Sequence, residues 1–287
     1  MRVIDTHIHF WDLANNINNW VSRVNKPYLL KNHLPDMIIK NFKAQLHGVV
    51  HIEAHDYAIP TTYEINWLSR IMKTIPNLKY SHIAFADITL PKSEFAKIID
   101  NLIVCKKVSG IRHILSHNPK FDYSPCDADL SQNANITENL NYLASTQLIF
   151  DCQMYPYQID NILPAIKNSG VICIIDHLAL PAWEKDGDKD HNTWQHTIAE
   201  LAKLKNVFIK VSGIDMFRQD HEFDNVLDFC FKIIPSSNLI YGSNYPVSFN
   251  HDYNYWYNYL NTFNLSDSKK EQIFMKNANS IFFNNTP

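Results

Sequence analysis

Two imidazoles separated by one residue stand at the start of the chain. In Val3-Ile4-Asp5-Thr6-His7-Ile8-His9-Phe10-Trp11-Asp12 a β-type run carries His7 and His9 two positions apart, so both side chains point the same way at the strand's end. Such a pair can jointly hold a divalent metal or a polar substrate group. A third imidazole, His177, follows the apolar run Ile174-Ile175-Asp176 in the same strand-to-loop position. Three neutral imidazoles can hold a catalytic ion with one position left open. His7, His9 and His177 are therefore the metal set if a divalent ion, zinc or manganese, is bound. Without a metal, His7 and His9 read as carbonyl polarisers and His177 as the base, because imidazole titrates near neutral pH.

Other apolar runs also end in polar groups. Arg112 closes Gly110-Ile111-Arg112-His113, and its guanidinium fork suits a substrate carboxylate, with a buried ion pair as the alternative. Glu53 shares its direction with His51; a substrate contact and a structural salt bridge are both open to it. Lys210, near the tip of Val207 to Ser212, can contact substrate or neutralise Asp176 or Asp151. Tyr155 and Trp11 are candidate pocket walls. Asn244 lies in the polar block Gly242-Ser243-Asn244-Tyr245-Pro246 that ends the last run. The alternating Asp186, Asp188 and Asp190 lack the glycine and terminal glutamate of a calcium loop.

Positioning these residues requires a scaffold with many parallel strand ends. Eight β-type runs are legible: Val3 to His9, Gly48 to Glu53, Tyr80 to Asp87, Gly110 to Leu115, Gln147 to Gln153, Val171 to Asp176, Val207 to Ser212 and Leu239 to Gly242. Helical spacing separates most of them, as in Ile65, Leu68, Ile71 and Met72 of the segment Thr61 to Thr74. Further helices are expected over Lys92 to Cys105, Thr137 to Ala144, Pro156 to Lys167, Thr193 to Leu204 and Phe223 to Ile234, with a closing helical element over Ser266 to Phe283. Alternating strands and helices predict an α/β protein, a single (β/α)8 TIM barrel over residues 1–287, with its chemistry at the carboxyl ends of the strands. No glycine-rich phosphate loop follows the first run, and six glycines in 287 residues leave a nucleotide-binding open sheet little support. Asp12 to Asp36 and Pro181 to Asn192 read as long loops, either lids or surface insertions.

Composition narrows the partners. A net charge of -3 and a pI near 6.5 give no footprint for nucleic acid or an anionic membrane. No apolar stretch approaches the roughly 20 residues of a membrane helix. Five scattered cysteines without a C-x-x-C pair suggest free thiols in a reducing compartment. The opening Met1-Arg2-Val3-Ile4-Asp5 lacks a signal-peptide pattern, so a cytoplasmic location is expected. The expected partner is a small-molecule substrate, and a homodimer stays open as the assembly.

In order along the chain, D-T-H-I-H-F-W-D, H-G-V-V-H-I-E-A, A-F-A-D-I-T-L-P, G-I-R-H-I-L, F-D-C-Q-M-Y-P-Y-Q, I-I-D-H-L-A-L-P, V-F-I-K-V-S-G and Y-G-S-N-Y-P-V span almost the whole sequence. This succession resembles the amidohydrolase-2 branch of the metal-dependent hydrolases, which contains sugar-lactone and pyrone-dicarboxylate lactonases. The resemblance implies a (β/α)8 barrel, a hydrolytic reaction and a lactone or related carboxylate-bearing ester as substrate. Two departures stand out. Where many relatives carry a water-activating Asp, this chain has Asn244, whose amide cannot accept a proton at neutral pH. The fifth run, Asp151-Cys152-Gln153-Met154-Tyr155, has no histidine where many relatives bind metal. The same branch includes enzymes that work without metal. A decarboxylase of the same superfamily and a non-catalytic sugar-acid-binding barrel are the alternatives.

Overall fold

In the computed structural model of the protein, eight strands form one sheet in the order β1 to β8. They are Arg2–Ile8 (β1), Gln45–Ile52 (β2), Lys79–Phe85 (β3), Val108–Ile114 (β4), Ile149–Gln153 (β5), Cys173–Ile175 (β6), Val207–Val211 (β7) and Leu239–Tyr241 (β8). The structure describes residues 1–15, 17–24, 26–40, 42–120, 126–248 and 252–284. Pairing is parallel between β1 and β2, β2 and β3, β4 and β5, β5 and β6, and β6 and β7. Parallel neighbours need crossovers. Helices Thr61–Ile71, Lys92–Ile103, Asn135–Ser145, Pro156–Ser169, Lys189–Leu201 and Phe223–Ile233 supply them between successive strands from β2 to β8.

The first strand also meets the chain that leaves β8. Asn244 N donates to His7 O at 2.8 Å, His9 N donates to Tyr245 O at 2.8 Å, and Ile8 forms a parallel bridge with Tyr245. The sheet thereby returns to its first strand, and the fold is the (β/α)8 barrel expected from the sequence. All eight runs are strands, with ends within three residues of those read from the sequence.

Two compact units divide the chain: Met1–Phe85 with Ile240–Pro287, and Ala86–Leu239. In the first, Ile8, Phe10, Val49, Trp67, Leu68 and Tyr253 form a buried cluster. Each large apolar side chain so removed from water contributes roughly 1.5–3 kcal/mol. The second buries Ile111, Phe150, Ile174 and Ile209 from its strands and Ile159 and Ile198 from its helices.

The second expected long loop, Pro181 to Asn192, is shorter than the sequence suggested. Asp188 caps a helix that begins at Lys189, accepting from His191 N at 2.8 Å, so the alternating acidic residues form a helix start. The segment after β1 folds into short turns, Leu13–Asn15, Trp20–Arg23, Pro27–Leu29 and Pro35–Ile39, and Trp11 pairs with His33 through two backbone hydrogen bonds. Among the described residues, no helix is long and apolar enough to cross a membrane.

Candidate active site

In the first unit the His7 and His9 side chains converge: their Nε2 atoms lie 3.1 Å apart, and both residues are buried. His9 Nδ1 sits 3.0 Å from the carbonyl of Ile52. A carbonyl only accepts, so Nδ1 carries the proton and Nε2 of neutral His9 presents a lone pair. Two imidazole nitrogens at Zn–N distances around one tetrahedral ion would stand roughly 3.3 Å apart. The spacing and the tautomer thus fit a shared divalent metal, and a carbonyl behind one ligating imidazole is the usual outer support of such a site.

Asp5 and the segment after β8 hold this pair from below. Asp5 Oδ1 accepts from His7 N at 3.1 Å and from Ser243 N at 2.9 Å. Burial pushes the Asp5 carboxyl up to about 6, against the hydrogen bonds from Ser243, His7 and Tyr253 that favour its ionised form. Asn244 is buried with φ 53°, a left-handed conformation that asparagine tolerates better than most residues. Glu53 is buried and accepts from Tyr57 Oη at 3.2 Å. Trp11 is fully buried and donates from Nε1 to Lys31 O at 2.9 Å.

His51, paired by direction with Glu53 in the sequence, instead meets Glu64, which the sequence reading passed over. Glu64 Oε1 lies 3.2 Å from His51 Nε2 and accepts from Ala54 N at 2.8 Å. Its Oε2 lies 3.1 Å from His55 Nδ1 and 3.3 Å from His82 Nε2. Burial pushes the Glu64 carboxyl up, but the three imidazoles outweigh it and hold the group well below the ordinary glutamate range. A signal for this cluster was present: Glu64, Trp67 and Leu68 fall at i, i+3 and i+4 on the buried face of Thr61–Ile71. A carboxylate on an apolar helical stripe requires a partner.

The second unit gathers the cations. Lys210, fully buried, is hydrogen-bonded to Asp151 Oδ2 and lies 2.8 Å from Asp176 Oδ1. Arg112 Nη1 donates to Gln153 Oε1 at 3.0 Å and lies 3.4 Å from Asp176 Oδ2. The structure therefore realises the ion-pairing alternatives read for both residues. Burial, then the neighbouring Asp176 carboxylate, pushes Asp151 up to about 8. Lys210 and Arg112 thus meet the Asp151 and Asp176 carboxyls in one buried cluster. Tyr155 is buried at the start of Pro156–Ser169 and packs with Leu180 and Ala182.

His177 begins a turn in which four consecutive residues, His177, Leu178, Ala179 and Leu180, have φ between 51° and 58°. Left-handed backbone costs a non-glycine residue about 1–2 kcal/mol, so the surroundings must enforce it. Leu180 N donates to His177 O at 3.0 Å, and Trp194 Nε1 donates to Leu178 O at 2.7 Å. The turn sets the His177 ring with Nδ1 2.8 Å from Ser212 Oγ. Gly213, at φ +59°, lies so close that a Cβ there would meet His177 Nδ1 at 2.6 Å. Burial lowers the His177 pKa to about 3; Asp176 opposes this, while Lys210 and Arg112 reinforce it. A neutral imidazole of that kind is a better metal ligand than proton acceptor at pH 7.

Comparisons with known proteins agree with this architecture. An amidohydrolase of Burkholderia multivorans superposes with a TM-score of 0.80 at 19% identity, covering 98% of this chain and 99% of that one. A second crystal form of that amidohydrolase, solved with bound zinc, gives 0.79 at 18% identity with the same coverage. A protein of Pseudomonas putida described as a candidate 2-pyrone-4,6-dicarboxylic acid hydrolase gives 0.70 at 16%, covering 98% and 97%. The 2,6-dihydroxybenzoate decarboxylase of Rhizobium gives 0.66 at 12%, covering 98% and 99%. The family model described as amidohydrolase matches residues 4–283, and this chain belongs to that family.

Proposed function

We propose that the protein is a hydrolase that opens a small lactone or a related carboxylate-bearing ester. The observation that carries this reading is the convergence of His7 and His9, with Nε2 atoms 3.1 Å apart and the His9 tautomer set by the Ile52 carbonyl. His7 and His9 are the ligands of a divalent ion in this reading. Such an ion, when bound, lowers the pKa of its water toward roughly 7 and polarises an ester carbonyl. Asn244 orients polar groups through its amide and takes no proton.

Arg112 is the binding group for a substrate carboxylate, supported by its guanidinium fork, held beside Gln153 and Asp176. Lys210 acts through its carboxylates, keeping Asp176 placed beside Arg112. In the first unit Glu53 and Trp11 are the further proposed substrate contacts; Tyr155 is the one proposed in the second. Water adds to the acyl carbon, the ring C–O bond breaks, and the alkoxide leaves with a proton. The product is a hydroxy acid, which releases one proton at neutral pH. The absence of an acid-base side chain at Asn244 favours a decarboxylase as the second reading, because carbon dioxide loss needs no water-activating carboxylate.

The test is turnover of a panel of sugar lactones and pyrone carboxylates, followed by proton release and by carbon dioxide evolution. Proton release that drops sharply in Arg112→Met for carboxylated substrates, but little for uncharged ones, is the expected result. Carbon dioxide evolution from an aromatic acid without ester opening would replace the hydrolase reading with the decarboxylase one.

A further inference from the structure

The buried Glu64 cluster has a geometry that reaches back to His9. Phe10 N donates to His51 Nδ1 at 3.2 Å, so Nδ1 is an acceptor and the His51 proton sits on Nε2, facing Glu64 Oε1 at 3.2 Å. That tautomer has consequences for metal binding. His51, Glu64 and His82 are close enough to suggest a metal group, but His51 offers its N–H, not a lone pair, toward Glu64. Binding an ion there would force the proton onto Nδ1, against the Phe10 N–H. The cluster is a hydrogen-bond network and not a second metal site.

The network grips the end of β2 on both sides of Ile52. Glu64 Oε1 holds His51 through its ring and Ala54 through its backbone N–H. Ile52 lies between them, and its carbonyl fixes the His9 tautomer at 3.0 Å. From the other direction, His51 Nδ1 holds the backbone N–H of Phe10, the residue after His9. The His51 and Phe10 rings stack, with centroids 5.7 Å apart and an interplanar angle of 13°. His9 is thus bounded by two contacts, one to its ring beside the Glu64-held Ala54 amide and one from His51 to its successor's amide.

We propose that His51, through the Phe10 amide, and Glu64, through the Ala54 amide, are positioning residues that hold the His9 imidazole, in its Nδ1–H tautomer, ready to bind a divalent ion beside His7. The inference rests on the metal reading of the His7 and His9 pair. Outer partners of metal-ligating histidines typically change metal affinity 10–100-fold when removed.

Two substitutions of one residue separate this role from a merely structural one. In His51→Asn the amide oxygen takes the place of Nδ1 and still accepts from Phe10 N. In His51→Gln the amide nitrogen takes the place of Nε2 and still meets Glu64, but Phe10 N loses its acceptor. Cobalt(II) titration of the full chain should show His51→Gln weakened about 10–100-fold and His51→Asn within a few-fold of the parent. Nitrogen-15 spectra of the metal-free proteins should show one His9 tautomer in the parent and in His51→Asn, and a mixture in His51→Gln. Equal effects of the two variants, or a His51→Gln protein with unchanged cobalt affinity and His9 tautomer, would overturn the proposal. A parent protein that takes up no cobalt would remove the metal reading, while the tautomer comparison would still decide the positioning role. If His51→Gln does not fold, amide exchange of the parent decides: fast exchange at Phe10 N sinks the proposal, slow exchange supports it.

Discussion

Replacing Gly213 by alanine should disable His177 without touching it covalently. A Cβ at this position would stand 2.6 Å from His177 Nδ1, 2.8 Å from Cγ and 3.0 Å from Met216 Cε, whereas ordinary contact begins near 3.4 Å. The buried imidazole would have to retreat by about 0.8 Å, and the retreating atom is the one 2.8 Å from Ser212 Oγ. The left-handed backbone adds about 1 kcal/mol for alanine, and overpacking adds about 1–3 kcal/mol. Gly170→Ala is the matched control: its φ of +67° carries the same backbone cost, but nothing lies within 4 Å of the added methyl. Urea denaturation should therefore place Gly213→Ala about 2–4 kcal/mol below the parent and Gly170→Ala about 1 kcal/mol below it. Displacements near 1 Å at a reacting group cost about 100-fold in rate, so turnover should fall by that order in Gly213→Ala alone. Equal stability and equal turnover in the two alanine variants would refute the placement of His177 and the role given to it.

Two further outcomes follow from the buried charges. Lys210→Met leaves the Asp151 and Asp176 carboxylates without their shared ammonium, and breaking a buried pair in this way costs about 3–5 kcal/mol. A urea midpoint within error of the parent would contradict the ion-pair assignment. His55 has a raised pKa: burial pushes it down, but the Glu64 hydrogen bond and charge, helped by Glu53 and Asp56, push it up further. A raised histidine stabilises the fold below its unfolded value of 6.5, and that contribution fades as pH rises through the folded value. The stability gap between the parent and His55→Gln should therefore narrow as pH rises above the unfolded value of 6.5. A gap that widens over that range would mean that His55 is not held in its charged form by Glu64.

Barrel architecture was legible in the sequence because apolar runs and helical spacing alternate without interruption from β2 onward. His7 and His9 were legible for the same reason: a two-residue period fixes side-chain direction along a strand without any knowledge of the fold. Side-chain partners across the fold were not. Glu53 and Glu64 are both acidic residues near His51, and only the geometry shows that the helical one reaches it. Lys210 carried two readings in the sequence, and its complete burial between Asp151 and Asp176 selects the neutralising one. The left-handed turn at His177 leaves no mark in Asp-His-Leu-Ala-Leu, since none of these residues is a glycine. Its enforcers, Trp194 and Gly213, lie 16 and more residues away in sequence. The acidic run before Lys189 looked like loop because a capping aspartate and a solvated one are the same residue type.

Metal content decides whether His7 and His9 hold a divalent ion. Elemental analysis of the purified protein, compared with His7→Ala and His9→Ala prepared in parallel, should find about one divalent ion per chain in the parent and a substoichiometric amount in each variant. A parent protein stripped of divalent ions that opens lactones at an undiminished rate would contradict the claim, and would make His7 and His9 polarisers of the substrate carbonyl in their own right.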